Sequence, residues 1–86
     1  MANQYRLLSL ILNTRASANM RFDELRRLMR DLGFAERIRG SHHIFSRADI
    51  DEIINLQPKN GKAKVYQVRQ VRALIRHYQL GTPNDE

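Results

Sequence analysis

The chain has no cysteine, so neither disulfides nor thiolate metal ligands hold it together. It has no apolar run approaching the roughly 18 residues that span a bilayer. Near the start, Leu7, Leu8, Leu10, Ile11 and Leu12 form an apolar stretch preceded by one charge, Arg6. Ala16-Ser17-Ala18 faintly resembles a leader cleavage site, but the stretch before it is short for a secretory leader. The expectation is a cytoplasmic chain with no membrane segment. A Walker-type phosphate loop, a dinucleotide fingerprint, internal repeats and low-complexity segments are also missing. With 86 residues there is room for one domain and one small core, which excludes a multi-domain enzyme.

Acidic residues are missing from one long segment. Residues 53–84 hold Lys59, Lys62, Lys64, Arg69, Arg72 and Arg76 but no Asp or Glu. The first 52 residues hold nine Lys/Arg against seven Asp/Glu, so the net charge of +6 can be assigned to the C-terminal third. A one-signed segment creates a field that draws in polyanions. Nucleic acid is the leading partner on this ground. A basic helix that is merely solvated and a face that meets an acidic protein remain open.

What is present is periodic. Phe22, Leu25, Leu28, Met29 and Leu32 recur at spacings of three and four, which predicts a helix over 23–32. Asp23 is the expected N-cap, and Gly33 fits the left-handed position past the end. Val68, Val71, Leu74, Ile75 and Tyr78 predict a second helix over about 66–79, stopped by Gly81 and Pro83. Arg69, Arg72 and Arg76 fall on another face of it, as a cationic side.

Between these helices, 35–39, 42–47 and 52–57 read as strands. Gly40-Ser41 is the turn joining the first two, and 58–62 is a loop. The order is helix, strand, strand, strand, helix. An α+β fold follows, with one antiparallel sheet, both helices on one face and the other face wet. Residues 1–13 form an extra helix joined by a polar 14–19 connector. The expected division is a helical extension over 1–20, a domain over 21–81 and a short tail over 82–86.

The densest chemistry lies in Arg39-Gly40-Ser41-His42-His43-Ile44-Phe45. Gly40 permits a tight turn and close approach of a ligand, Ser41 offers a hydroxyl, and Arg39 offers a phosphate partner. Histidine can take a proton from a ribose 2′-hydroxyl or give one to a leaving 5′-oxygen, and that route needs no metal cofactor. On a strand, His42 shares a face with Ile44, and His43 shares one with Phe45. Phe45 is the better core candidate, which puts His42 on the wet face. Both histidines also fit as ordinary strand or turn residues, and the residues alone leave that open. A zinc site built from His42, His43 and His77 lacks any cysteine or acid at ligand spacing. Lys59, Lys62 and Lys64 form a second cluster beside the start of the last helix, suited to phosphates or simply to solvent. Tyr66 could stack on a base or close the core.

Taken together, the helix running from Asp23 to Gly33-Phe34, the Arg39-Gly40-Ser41-His42 turn, the aromatic Phe45 and the closing basic helix resemble the HicA family of toxins. The resemblance covers roughly residues 21–81. It implies the α-β-β-β-α fold of double-stranded-RNA-binding domains and a metal-independent endoribonuclease that cleaves mRNA. His42, directly after Gly40-Ser41, is then the catalytic residue. Arg39, Lys59, Lys62, Lys64 and Arg69 are then RNA-binding, with a HicB-like antitoxin as partner. Two features depart from the family pattern. The first twenty residues exceed its short form, and Asn55-Leu56-Gln57-Pro58 stands where a Val-Pro-containing stretch is expected. The alternative to a nuclease is a non-catalytic RNA- or DNA-binding module.

Overall fold

The computed structural model describes residues 2–13 and 20–81, with side chains from Arg6 onward. The expected 14–19 connector, and the 82–86 tail with Pro83, lie outside the described residues. Six elements follow in order: α1 (Ala2–Leu12), α2 (Phe22–Asp31), β1 (Ala35–Arg39), β2 (His42–Arg47), β3 (Ile50–Leu56) and α3 (Val65–Tyr78). The fold is α+β, with the expected α-β-β-β-α order preceded by one further helix.

Helix α2 buries Phe22, Leu25, Leu28 and Met29, the stripe its spacing predicts. Its N-cap is Arg21 and not Asp23, which falls inside the first turn. The reason is local. Phe22 N–H donates to the Gly61 carbonyl at 3.0 Å, and the Glu24 carboxylate accepts from Arg21 N–H at 3.1 Å. Those bonds start the helix two residues earlier, while Asp23 still favours the positive helix end. At the other end Gly33 has φ +93°, a region closed to most side chains. Gly33 N–H reaches Arg30 O and Phe34 N–H reaches Met29 O, the paired bonds of a Schellman motif with Met29 and Phe34 both buried. Arg47 adds a cation there, donating to Leu32 O at 2.9 Å.

The sheet is antiparallel in the order β1-β2-β3. Arg39 pairs with His42, so the hairpin turn is the two residues Gly40 and Ser41. Strand β3 begins two residues before the predicted start and ends one before the predicted end. Arg47 pairs with Ile50 across a short turn in which Arg47 Nε lies 2.9 Å from Asp49, and the buried Ile50 is thereby drawn into the ladder. At the other end, Gln57 precedes Pro58, whose ring constrains the residue before it and whose nitrogen has no proton for the ladder.

Phe45, Ile50, Ile54 and Leu56 lie beneath the helices in one continuous core with Leu25, Leu28, Val71 and Ile75. Each such side chain contributes roughly 1.5–3 kcal/mol by leaving water. The opposite face, with Arg37, Arg39, His42 and Asn55, is exposed.

Leu7 and Ile11 place α1 in that same core. No basic residue occupies the last turn of α1, and α3 supplies the cations instead. Arg72 donates from Nε to Ile11 O at 2.6 Å, and Arg76 approaches Leu12 O at 3.4 Å. Arg72 is therefore only 6% exposed and does not belong to the cationic surface that its helical spacing predicted. Helix α3 ends at Tyr78, capped by Gln79, which takes the left-handed conformation itself, ahead of the expected stop at Gly81. Among the described residues no helix is long and apolar enough to cross a membrane.

Candidate functional site

The β1–β2 hairpin and the end of β3 assemble the site. Gly40 has φ +59° and a Cβ there would meet nothing within 4 Å. Glycine is thus required by backbone conformation, with positive φ at the first turn position as a II′ hairpin turn demands. This turn sets Ser41 and His42 side by side at one end of the sheet, both exposed. Strand β3 and the residue that follows it support the two side chains. His42 Nδ1 and Asn55 Oδ1 are 3.2 Å apart, and Gln57 Nε2 donates to Ser41 Oγ at 3.0 Å. With Nδ1–H donating to Asn55, Nε2 of His42 carries the lone pair that can accept a proton.

His43 faces the other way. Its Nδ1 lies 2.7 Å from Glu36 Oε2, and its ring meets Phe22 edge-on at 4.9 Å. Arg26 donates to the same carboxylate through Nε at 2.7 Å. The hydrogen bond from Arg26 holds the Glu36 carboxyl below its ordinary range; burial opposes this, and His43 adds a further lowering contact. The Glu36 and His43 side chains are 8% and 12% exposed. This network ties α2 to β1 and β2, so His43 has a structural position. His77 sits apart from both, against the Tyr78 ring at 4.6 Å. Among the described residues, no three His, Cys, Asp or Glu side chains group to hold a metal ion.

The lysines lie on a tight turn. Lys59 and Lys62 exchange backbone bonds at 2.9 and 3.0 Å around Asn60 and Gly61, both with positive φ, the Asn-Gly signature of a I′ turn. Lys62 also bridges to Arg21, and Ala63 N–H donates to Met20 O at 3.0 Å. The turn is thereby pinned to the start of α2. Lys64 is the N-cap of α3, its N–H donating to Gln67 Oε1 at 3.3 Å.

Two shallow depressions adjoin. One, of about 240 Å³, is lined by His42, Asn55, Gln57, Tyr66 and Gln67. The other, about 760 Å³, is lined by residues including Lys59, Lys62, Lys64 and Tyr66. Tyr66 borders both and is 62% exposed, so it does not close the core.

Of the residues singled out in the sequence, the fold gathers Gly40, Ser41 and His42 at one end of the sheet, with Arg39 as the cross-strand partner of His42. It places Lys59, Lys62 and Lys64 in the neighbouring depression. Arg69 is exposed on α3 and lines neither depression. Sequence reasoning missed Asn55, Gln57 and Gln67, and it missed Arg21 beside the lysines. The departure of Asn55-Leu56-Gln57 from the expected stretch was the available signal for two of them. No family model, curated protein or solved structure matches the chain.

Proposed function

We propose that the chain is a HicA-like toxin, a cytoplasmic endoribonuclease that cleaves mRNA without a metal and is neutralised by a HicB-like antitoxin. The observation that carries the reading is the setting of His42: exposed, held through Nδ1 by Asn55, and separated by Tyr66 from a lysine-lined depression. In this reading the domain is of the double-stranded-RNA-binding type, with lysines at the start of α3 meeting phosphates.

The chemistry needs two things. The ribose 2′-oxygen attacks the adjacent phosphorus as its proton leaves, and the 5′-oxygen departs as it gains one. His42 Nε2 can serve either transfer when the scissile phosphate lies over that end of the sheet. The developing negative charge on the phosphorane is met by Arg39 and the Lys59–Lys64 loop. The products are a 2′,3′-cyclic phosphate and a 5′-hydroxyl.

The test is RNA cleavage in EDTA by wild type and His42→Ala, with binding followed in parallel. Cleavage confined to the wild type supports the reading. Binding by both without cleavage by either replaces it with a non-catalytic RNA- or DNA-binding module.

A further inference from the structure

We infer that the depression between His42 and Tyr66 is a binding site for one unstacked base of single-stranded RNA, with the Tyr66 ring as its stacking wall and the Asn55 and Gln57 amides along its edge. The inference rests on the RNA-cleaving reading above and specifies its substrate, an unpaired strand and not a duplex.

Tyr66 stands in the first turn of α3, whose apolar stripe is complete without it: Val68, Val71, Leu74 and Ile75 are buried. A large aromatic that contributes nothing to the core, and forms the shared border of a polar pocket and a cationic trough, has the layout of a single-strand site. There the backbone follows the cations and a base lies on the ring. The pocket's volume of about 240 Å³ falls below the roughly 300–1,000 Å³ of sites for drug-sized ligands and suits a single ring system.

Both amides line the depression. His42 engages Asn55 Oδ1 and Ser41 engages Gln57 Nε2. Asn55 Nδ2 is then left to donate and Gln57 Oε1 to accept, two positions apart, one in β3 and one just past its end. Gln67, 1% exposed, completes the wall with its oxygen fixed by Lys64 N–H. A base within a duplex has its faces covered by neighbours and its edge by its partner, so it can use neither the ring nor the amides.

The experiment measures equilibrium binding of a short 2′-O-methyl RNA, blocked against cleavage, both single-stranded and annealed to its complement. Tyr66→Ala is expected to weaken single-strand binding about tenfold and Tyr66→Phe by no more than about twofold, since stacking needs the ring and not the hydroxyl. Duplex binding is expected to be the same in wild type and both variants. Because Tyr66 is exposed, the helical circular dichroism of Tyr66→Ala should match wild type. Single-strand binding that ignores Tyr66→Ala, or an equal loss for strand and duplex, overturns the base site while leaving the cleavage reading standing. Failure of the wild type to bind either form overturns both.

Discussion

Arg72 on α3 donates from Nε to the carbonyl oxygen of Ile11 at 2.6 Å, and its Nη2 lies 3.4 Å from Asn13 O. The end of α1 is thereby held by a cation from the far end of the sequence. Burial lowers the Arg72 pKa, with repulsion from Arg76 and Arg69 adding to it. The guanidinium stays charged all the same, because its ordinary value is so high.

Removing that cation strands the buried carbonyl of Ile11 at a helix end. Arg72→Met is expected to cost about 3 kcal/mol, the scale of losing charge-assisted bonds and leaving their acceptors unmet. Urea unfolding followed by circular dichroism measures it. A loss below about 0.5 kcal/mol, the range of ordinary surface changes, would mean that Arg72 adds nothing to the hold on α1.

The Arg26–Glu36–His43 network predicts an acid limit on stability. Glu36 has a folded pKa held below its ordinary 4.5, chiefly by the Arg26 hydrogen bond. A depressed carboxyl contributes stability that is fully present above the unfolded pKa and is lost as pH falls through the folded one. Wild type should therefore lose stability progressively below about pH 4.5. Glu36→Gln should be about 2 kcal/mol less stable at neutral pH and show a shallower decline in that acid window. Parallel pH profiles for the two proteins would assign the acid loss to other carboxylates.

Much of this architecture is legible in the sequence. Residues spaced by three and four place α2 and α3, and the bounds of β1 and β2 follow from short β-like runs around Gly40-Ser41. The alternation of His42 to Phe45 predicts which histidine is exposed, because only one face of the sheet is covered. What fails to read out depends on contacts between distant segments. Asp23 loses the N-cap position to Arg21 through bonds to Gly61 and Glu24. Arg72 looks like a surface cation until α1 folds over it. Asn55 and Gln57 acquire their partners only when β3 lies beside the hairpin, a pairing that no local pattern encodes.

The lysine loop makes a separate prediction. Replacing Lys59, Lys62 and Lys64 together by alanine should flatten the salt dependence of single-stranded RNA binding. Each phosphate contact on a single strand contributes roughly 0.7 to the slope of log K against log salt, so the slope should fall by about 2. Lys59 and Lys62 are exposed and Lys64 half-buried, so thermal stability should change little. An unchanged slope would remove these lysines from the phosphate path and leave Arg21, Arg39 and Arg69 to be tested.

The central claim is that His42 moves a proton during RNA cleavage, and one comparison tests it most directly. Long single-stranded RNA is incubated in EDTA with wild type and with His42→Ala, and RNA binding is measured in parallel. The account predicts cleavage by the wild type, a loss of about 10²- to 10⁴-fold in rate for the variant, and retained binding by both. Equal cutting by both proteins, or binding by both with no cutting by either, would contradict it.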